Sequence, residues 1–400
     1  MISLRHFIKH MFTFEHLCWR YKYCLSLIGC WPPLHSKRQL FKRFFVNLCI
    51  VTLILIQIFA LISSANELDT IIEIMTYLLP LLGMDTPYFA VYLNIEKTLY
   101  FYNHSITDWK KLESEEERNI FRKYVKDNTN YVIILSVGYG LIFISLKPIY
   151  LDIVSPLNVT RPRQAIIPVE FLFIDKDEYF YLTFFIIFIT GFVSGFATVT
   201  SLNLLFYGVQ HGCALFEYVG YKLEHLIDEN EFNQEIPISK IYEKIHQRII
   251  NNVNLHKRAF EYVDILNSIC GHFFFIAILF EVLIIGVDFF KLKTTRNSNK
   301  SNEQLFLLIC YIPSNVFVVY ITCNMGQKIL DTSTDVLEKA RMVPWYLLSP
   351  KMQKEGILIM IRSMKPCYLT IGKMFVSSHQ LFTSIVRTAM SYATMVHSIG

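Results

Sequence analysis

The chain reads as an all-α polytopic membrane protein with seven transmembrane helices, its N-terminus cytoplasmic and its C-terminus extracellular. Three observations predict this. The 400 residues are 53% hydrophobic and only 18% charged, where an ordinary soluble domain carries about 25% charged residues. Apolar runs long enough to cross a bilayer alternate with polar segments, giving seven candidate spans. Of the 38 lysines and arginines, 28 fall in the segments on one side of those spans and 7 on the other, and an excess of basic residues marks the cytoplasmic face.

Taken in order, residues 4–18 place Leu4, Phe7, Ile8, Met11, Phe14 and Cys18 near one helical face, which predicts an amphipathic helix at the inner interface. Residues 1–43 form a cytoplasmic N-terminal segment: basic residues are spread through the first thirty, and no cleavable signal is expected. The first span follows the basic cluster Lys37, Arg38, Lys42 and Arg43 and runs from Phe44 to Ile62. The second covers Ile71 to about Leu93, with a kink expected at Pro80, Asp85 and Pro87. Residues 97–130 are charged and lie outside the bilayer. The third span is Tyr131 to Leu151, and the fourth Tyr179 to about Tyr207. Gln210 to Tyr262 mixes charges at helical spacing and extends the flanking membrane helices into the cytoplasm. The fifth span is Ile265 to Phe290 and the sixth Leu305 to Cys323. These elements make up region 44–325, after which a polar segment, 326–375, leads to the last helix, 376–400.

That last helix carries a polar stripe. Ser377, Ser384, Ser391 and Ser398 recur every seventh residue, a spacing that drifts only about 20° per repeat on a helix. Gln380, Arg387, Thr388 and Thr394 lie between them, and Phe382, Val386 and Ala389 lie opposite. In a bilayer such a stripe faces protein or water. Two readings stand: a helix packed by small polar residues against its neighbours, or one wall of a conduit that several chains close around an axis.

Glycosylation sequons at Asn158 and Asn299 fall in loops assigned outside, and one at Asn103 falls inside. The cysteines all fall in spans or inner segments, so no extracellular disulfide is expected. Ser136-Val137-Gly138-Tyr139-Gly140 is similar to a potassium-channel filter. It sits inside a continuous apolar span rather than behind a half-length pore helix, so small residues at a helix contact are preferred. Asp85, Glu281, Asp288 and Arg387 are ionisable groups at or near membrane depth, each a functional or a structurally paired site. No catalytic motif and no metal-ligand spacing occurs, so no enzyme, cofactor or metal is expected, and no basic patch suits nucleic acid. Aromatic residues gather in the outer halves of the middle spans: Tyr77; Tyr139, Phe143 and Tyr150; Tyr179, Phe184 and Phe188; Phe306 and Tyr311. They form either an interfacial belt or the wall of an apolar pocket for a small volatile or lipid-like ligand.

Four ordered motifs in the C-terminal region carry a family resemblance: Ala340-Arg341-Met342-Val343-Pro344-Trp345-Tyr346, Arg362-Ser363-Met364-Lys365-Pro366, Gly372-Lys373-Met374-Phe375 and Ser391-Tyr392-Ala393-Thr394. With length and topology, they make the chain resemble the insect odorant receptors. The resemblance implies a plasma-membrane subunit, in a sensory neuron dendrite, of an odorant-gated non-selective cation channel. In that family a ligand-tuning subunit forms a heterotetramer with a co-receptor, cytoplasmic helices anchor the subunits, and the last helix lines the pore. Carried over through Ser391-Tyr392, the pore residues are Ser391, Met395, Ser398 and Ile399, and the ligand pocket falls among the aromatic residues above. The short segment between spans four and five is similar to that of a tuning subunit. The ending Met395-Val396-His397-Ser398-Ile399-Gly400 departs from the gustatory pattern, leaving a gustatory-type channel as an alternative. From another class, a G-protein-coupled receptor would also have seven spans, but with the opposite orientation; a transporter would show internal repeats.

Overall fold

A computed structural model describes residues 14–64, 68–127, 179–227, 237–297 and 302–399. The third span and most of residues 4–18 lie outside these. The described chain is helical except for one short hairpin.

Helix α1 (Phe14–Leu27) leads through a turn to α2 (Lys37–Ser63). Ser36 caps α2 by accepting from the Gln39 amide at 3.3 Å. One face of α2 buries Val46, Ile50, Leu53 and Ile56, while Phe44, Leu48, Val51, Leu55 and Ile62 are exposed. A helix apolar all round whose outer face is bare suits a lipid surround. The second span is two helices, α3 (Leu68–Met84) and α4 (Thr86–Leu93). Pro80 is accommodated inside α3, and the break falls at Asp85, with proline in the first turn of α4. Asp85 is buried and accepts from Ser194 Oγ at 2.9 Å and Thr198 Oγ1 at 3.0 Å, so the discontinuity is held by the helix opposite.

Helix α5 (Ile95–Lys110) and a helical stretch at 115–127 precede the long helices α6 (Phe180–Glu224), α7 (Ile238–Asn297) and α8 (Asn302–Met342). Among the described residues α2, α6 and α7 meet the length and apolarity needed to cross a membrane. Helix α6 is the hub, packing on α1, α2, α4, α5, α7 and α8. Its small residues permit this: a Cβ on Gly208 would come within 2.7 Å of Leu266. As the charge pattern predicts, α6 and α7 run on past the apolar region. There they form, with α5 and α8, a bundle laced by ion pairs such as Lys123 with Glu217 and Lys328 with Asp127.

Within that bundle His256 is buried between Phe216 and Phe260, with the Arg362 guanidinium stacked 3.4 Å from the Phe260 ring. Burial, and then the nearby Arg362 charge, pushes the His256 pKa down to about 4. The folded protein therefore holds it neutral while the unfolded chain protonates near 6.5. Its contribution is complete above pH 6.5 and is lost as pH falls toward 4. Acidification from pH 7.5 to 5 should cost roughly 2 kcal/mol through this residue, read as a lower melting temperature that His256→Phe makes less pH-dependent.

After α8, Pro344 ends the helix and Trp345 turns back, donating Nε1 to the Ala340 carbonyl at 2.7 Å. Its ring lies on Gly356 of α9 (Pro350–Ser363), where a Cβ would come within 2.5 Å. The chain then forms a hairpin of β1 (Thr370–Ile371) and β2 (Phe375–Val376), antiparallel, with Thr370 opposite Val376. Gly372 and Lys373 at the tip both have positive φ. Last comes α10 (His379–Ile399).

Candidate functional site

The hairpin fixes where α10 begins. Asn267 of α7 accepts from the Thr370 amide at 2.8 Å and donates to the Tyr368 carbonyl at 3.0 Å. Ser333 of α8 brackets Cys367, accepting from its amide at 3.0 Å and donating to its carbonyl at 3.2 Å. Ser377 is 1% exposed and donates to the Thr322 carbonyl at 3.1 Å. Gly326 lies against it so closely that a Cβ there would fall 2.3 Å from the Ser377 carbonyl oxygen. His379 completes the joint: its amide donates to Gln327 at 3.2 Å, and its ring meets Asn324 at 3.1 Å and stacks on Tyr320. Ser377 thus precedes the helix and is a docking residue, which removes it from the heptad stripe read from the sequence.

The rest of the stripe faces away from the chain. Ile385 and Ala389 are buried, and Leu381, Phe382 and Ile385 pack with Val319 and Cys323 of α8 and Ile278 and Val282 of α7. Gln380, Ser384, Arg387, Thr388, Ser391 and Met395 are exposed. The hydroxyls are internally satisfied: Ser384, Thr388 and Ser391 each donate to the carbonyl four residues earlier, at 3.0, 2.8 and 3.0 Å. That pattern lets hydroxyls tolerate a poorly hydrated surround. Arg387 has no such recourse. It is exposed midway along α10, without an ion pair among the described residues, and a guanidinium at that depth requires water, an anion or another chain. Of the pore residues read from sequence, Ser391 and Met395 lie on this outward face; the side chains of Ser398 and Ile399 lie outside the described residues.

The aromatic residues divide similarly. Phe184 is buried and stacks with Phe188 at 6.3 Å and with Phe180 at 6.5 Å, a ladder along α6. Tyr179 is exposed at its end. Tyr77 on α3 is part-exposed, with Lys291 over its ring at 5.7 Å. Tyr139, Phe143 and Tyr150 lie outside the described residues, as do the side chains of Phe306 and Tyr311.

A cavity of about 80 Å³ occupies the junction of α3, α4, α6, α7 and α8, walled by Gly83, Pro87, Thr198, Phe274, Glu281 and Val319 among others. It sits at the Asp85 break, which frees space that a continuous helix would fill. Sequence reasoning singled out Asp85 and Glu281 as ionisable groups at membrane depth but not the space between their helices. Two turns further along α7, Asp288 is buried and accepts from Asn315 at 2.9 Å. Among the described residues no three His, Cys, Asp or Glu side chains gather as metal ligands.

A family model described as 7tm Odorant receptor matches residues 67–390. The chain is similar to Odorant receptor 10 of Aedes albopictus, 25% identical over 155 residues, which are 38% of this chain and 40% of that protein. It is also similar to Odorant receptor 10a of Drosophila melanogaster, 22% identical over 247 residues, 61% of this chain and 57% of that one. The chain thus spans less than two thirds of the length of these curated relatives. The solved structure of the insect olfactory receptor OR5 from Machilis hrabei in complex with eugenol superposes with a TM-score of 0.73 at 13% identity, covering 96% of this chain and 98% of that one. At that identity the likeness establishes the fold, that of an all-helical membrane protein with seven spans.

Proposed function

Because the chain belongs to the 7tm odorant receptor family, a family of ligand-binding receptors rather than enzymes, we propose that it is the odorant-binding subunit of a ligand-gated, non-selective cation channel. The observation that carries the channel reading is α10, which turns Ser384, Arg387, Thr388 and Ser391 away from its own chain. The Arg387 guanidinium is not stable against lipid tails, and one helix cannot enclose water. Several subunits around an axis can. Ser391 and Met395, with Ser398 and Ile399, are the pore residues in this reading. The N-terminus is cytoplasmic, 326–375 belongs to the anchor between subunits, and the protein works in the plasma membrane of a sensory dendrite, in a tetramer with a co-receptor subunit.

The ligand is a small hydrophobic volatile. The Phe180, Phe184 and Phe188 ladder and Tyr77 supply the aromatic wall, to which Tyr139, Phe143, Tyr150, Tyr179, Phe306 and Tyr311 are assigned. A G-protein-coupled receptor is not favoured, since the family match opposes it. The test is whole-cell current during application of a panel of volatiles, with this chain expressed alone and with an insect co-receptor. A fast, non-selective cation current that persists with G-protein signalling blocked is expected, and only with the co-receptor. Current from the chain alone would make it a homomeric channel; silence in both conditions, with the protein shown at the surface, would reject the channel reading.

A further inference from the structure

We infer that the junction of α1 and α2 is a docking surface for anionic phospholipid of the inner membrane leaflet. Charge sets the first constraint. From His16 to Asn66 the chain has no aspartate or glutamate, while Arg20, Lys22, Lys37, Arg38, Lys42 and Arg43 all fall there. Among the described residues none of the six makes an ion pair, whereas in the bundle beyond the apolar region Lys123, Arg258 and Lys328 each meet a carboxylate. Lys42 and Arg43 fix the junction itself, donating to the carbonyls of Ser26 at 2.6 Å and Leu34 at 2.5 Å. Lys22, Lys37 and Arg38 are exposed.

Geometry sets the second. Buried Tyr21, Leu25 and Ile28 seat α1 on the protein, where the Tyr21 ring lies 5.2 Å from that of Tyr207 and its hydroxyl donates to the Asn203 carbonyl at 3.2 Å. The opposite face presents Trp19 and Tyr23, both exposed and stacked at 5.6 Å. At 3.6 residues per turn, Arg20 and Lys22 flank that pair. On α2, exposed Lys37, Phe41 and Phe44 share a face that continues into bare Leu48 and Val51, the side turned to lipid. Aromatic rings flanked by cations without ion pairs fit the headgroup level, where the rings enter the acyl boundary and the cations meet phosphate and carboxylate groups. Basic clusters of roughly four to eight residues beside a span bind anionic lipid in this way.

The charges do not serve the helix that bears them. Lys37 and Arg38 occupy the first turn of α2, which holds no acidic residue, and the helix dipole disfavours cations there. They gain from an anion outside the chain. The patch sits at the foot of a lipid-facing helix and has aromatic rings at its centre, which selects a membrane surface over an acidic protein. Which leaflet it meets rests on the cytoplasmic N-terminus proposed above; the preference for an anionic headgroup does not.

The test places the purified full-length chain in nanodiscs of fixed phosphatidylserine content, with the same mole fraction of brominated lipid supplied either as phosphatidylserine or as phosphatidylcholine. Trp19 is one of four tryptophans, so its quenching is read as the difference between the chain and Trp19→Phe. An attraction of about fivefold per basic residue predicts that brominated phosphatidylserine quenches Trp19 more than about twice as strongly as brominated phosphatidylcholine. Lys22→Gln, Lys37→Gln and Arg38→Gln combined should make the two lipids equal. Tm should stay unchanged or rise in that variant, since all three side chains are exposed and two of the cations leave the unfavourable end of α2. Equal quenching by both lipids in the unsubstituted chain, or a preference that survives the triple substitution, would overturn the anionic surface. Quenching by neither lipid would overturn it too, showing that this face does not lie on the bilayer. None of these readings uses current, so their failure is distinct from failure of the channel reading.

Discussion

Asp108→Ala is expected to remove most of the protein from the cell surface. Asp108 is 6% exposed in α5 and holds together two other helices: it pairs with Arg258 of α7 and accepts from His211 Nε2 of α6 at 3.1 Å. Arg258 also donates to His104 Nδ1 at 3.3 Å. Burial, and then the Arg258 charge, holds the His104 pKa below its ordinary value, which keeps that nitrogen free to accept. Removing the carboxylate leaves a largely buried guanidinium and a buried imidazole facing one another. Breaking a buried pair in this way costs about 3–5 kcal/mol, a large share of the 5–15 kcal/mol that typically stabilises a fold. The check is surface labelling together with the melting temperature of the purified protein. Asp108→Asn, which keeps the shape and one acceptor, should fall between. Surface levels and melting temperature unchanged in Asp108→Ala would show that the cluster does not hold the bundle of α5, α6 and α7.

Gly326→Ala should leave a receptor that reaches the surface but responds weakly or not at all. The added Cβ would sit 2.3 Å from both the Cβ and the carbonyl oxygen of Ser377, more than 1 Å inside ordinary contact. Neither α8 nor the start of α10 can yield without sliding past the other. Overpacking of this kind costs about 1–3 kcal/mol, tolerable for folding but applied where α10 is seated. Ser377→Gly alone should be mild. Combined with Gly326→Ala it should rescue only partly, because the carbonyl remains in the way. Odorant-evoked current normalised to surface protein is the measurement, and an unchanged dose–response for Gly326→Ala would show that this joint does not position the last helix.

Much of this architecture was legible in the sequence because it rests on local periodicity. The apolar run 44–62 lies within α2, the mixed charges after Gln210 fall on α6 and α7 where these helices continue past their apolar stretches, and Asp85 with Pro87 marked the break in the second span. The outward stripe of α10 was legible for the same reason, since Ser384, Thr388 and Ser391 share a helical face whatever surrounds them. What remained hidden depends on contacts between distant segments. Pro80 looked as disruptive as Asp85, yet the tertiary setting keeps it within α3. Ser377 fits the heptad by spacing, but the hairpin before it draws it under Gly326. Two-residue strands are too short for an alternation signal; Gly372 and the apolar residues around it were the available hint. Asp108, His211 and Arg258 each sit in a polar stretch of helix, and nothing in their spacing signals that they meet. Only the crossing of three helices buries them together. The cavity needs residues from five helices and has no sequence signature beyond two membrane-depth carboxyl groups, Asp85 and Glu281.

The most direct test of the central claim is cysteine accessibility along α10. Single cysteines at Ser384, Thr388 and Ser391, and at Ile385 and Ala389 as the inward-facing controls, would be co-expressed with a co-receptor and exposed to a charged thiol reagent during odorant-evoked current. Rapid, lasting change of current is expected at Ser384, Thr388 and Ser391 and none at Ile385 or Ala389. Responsive channels unaffected at all three outward positions, or modified only at the two inward ones, would show that this helix does not line the path of the ions.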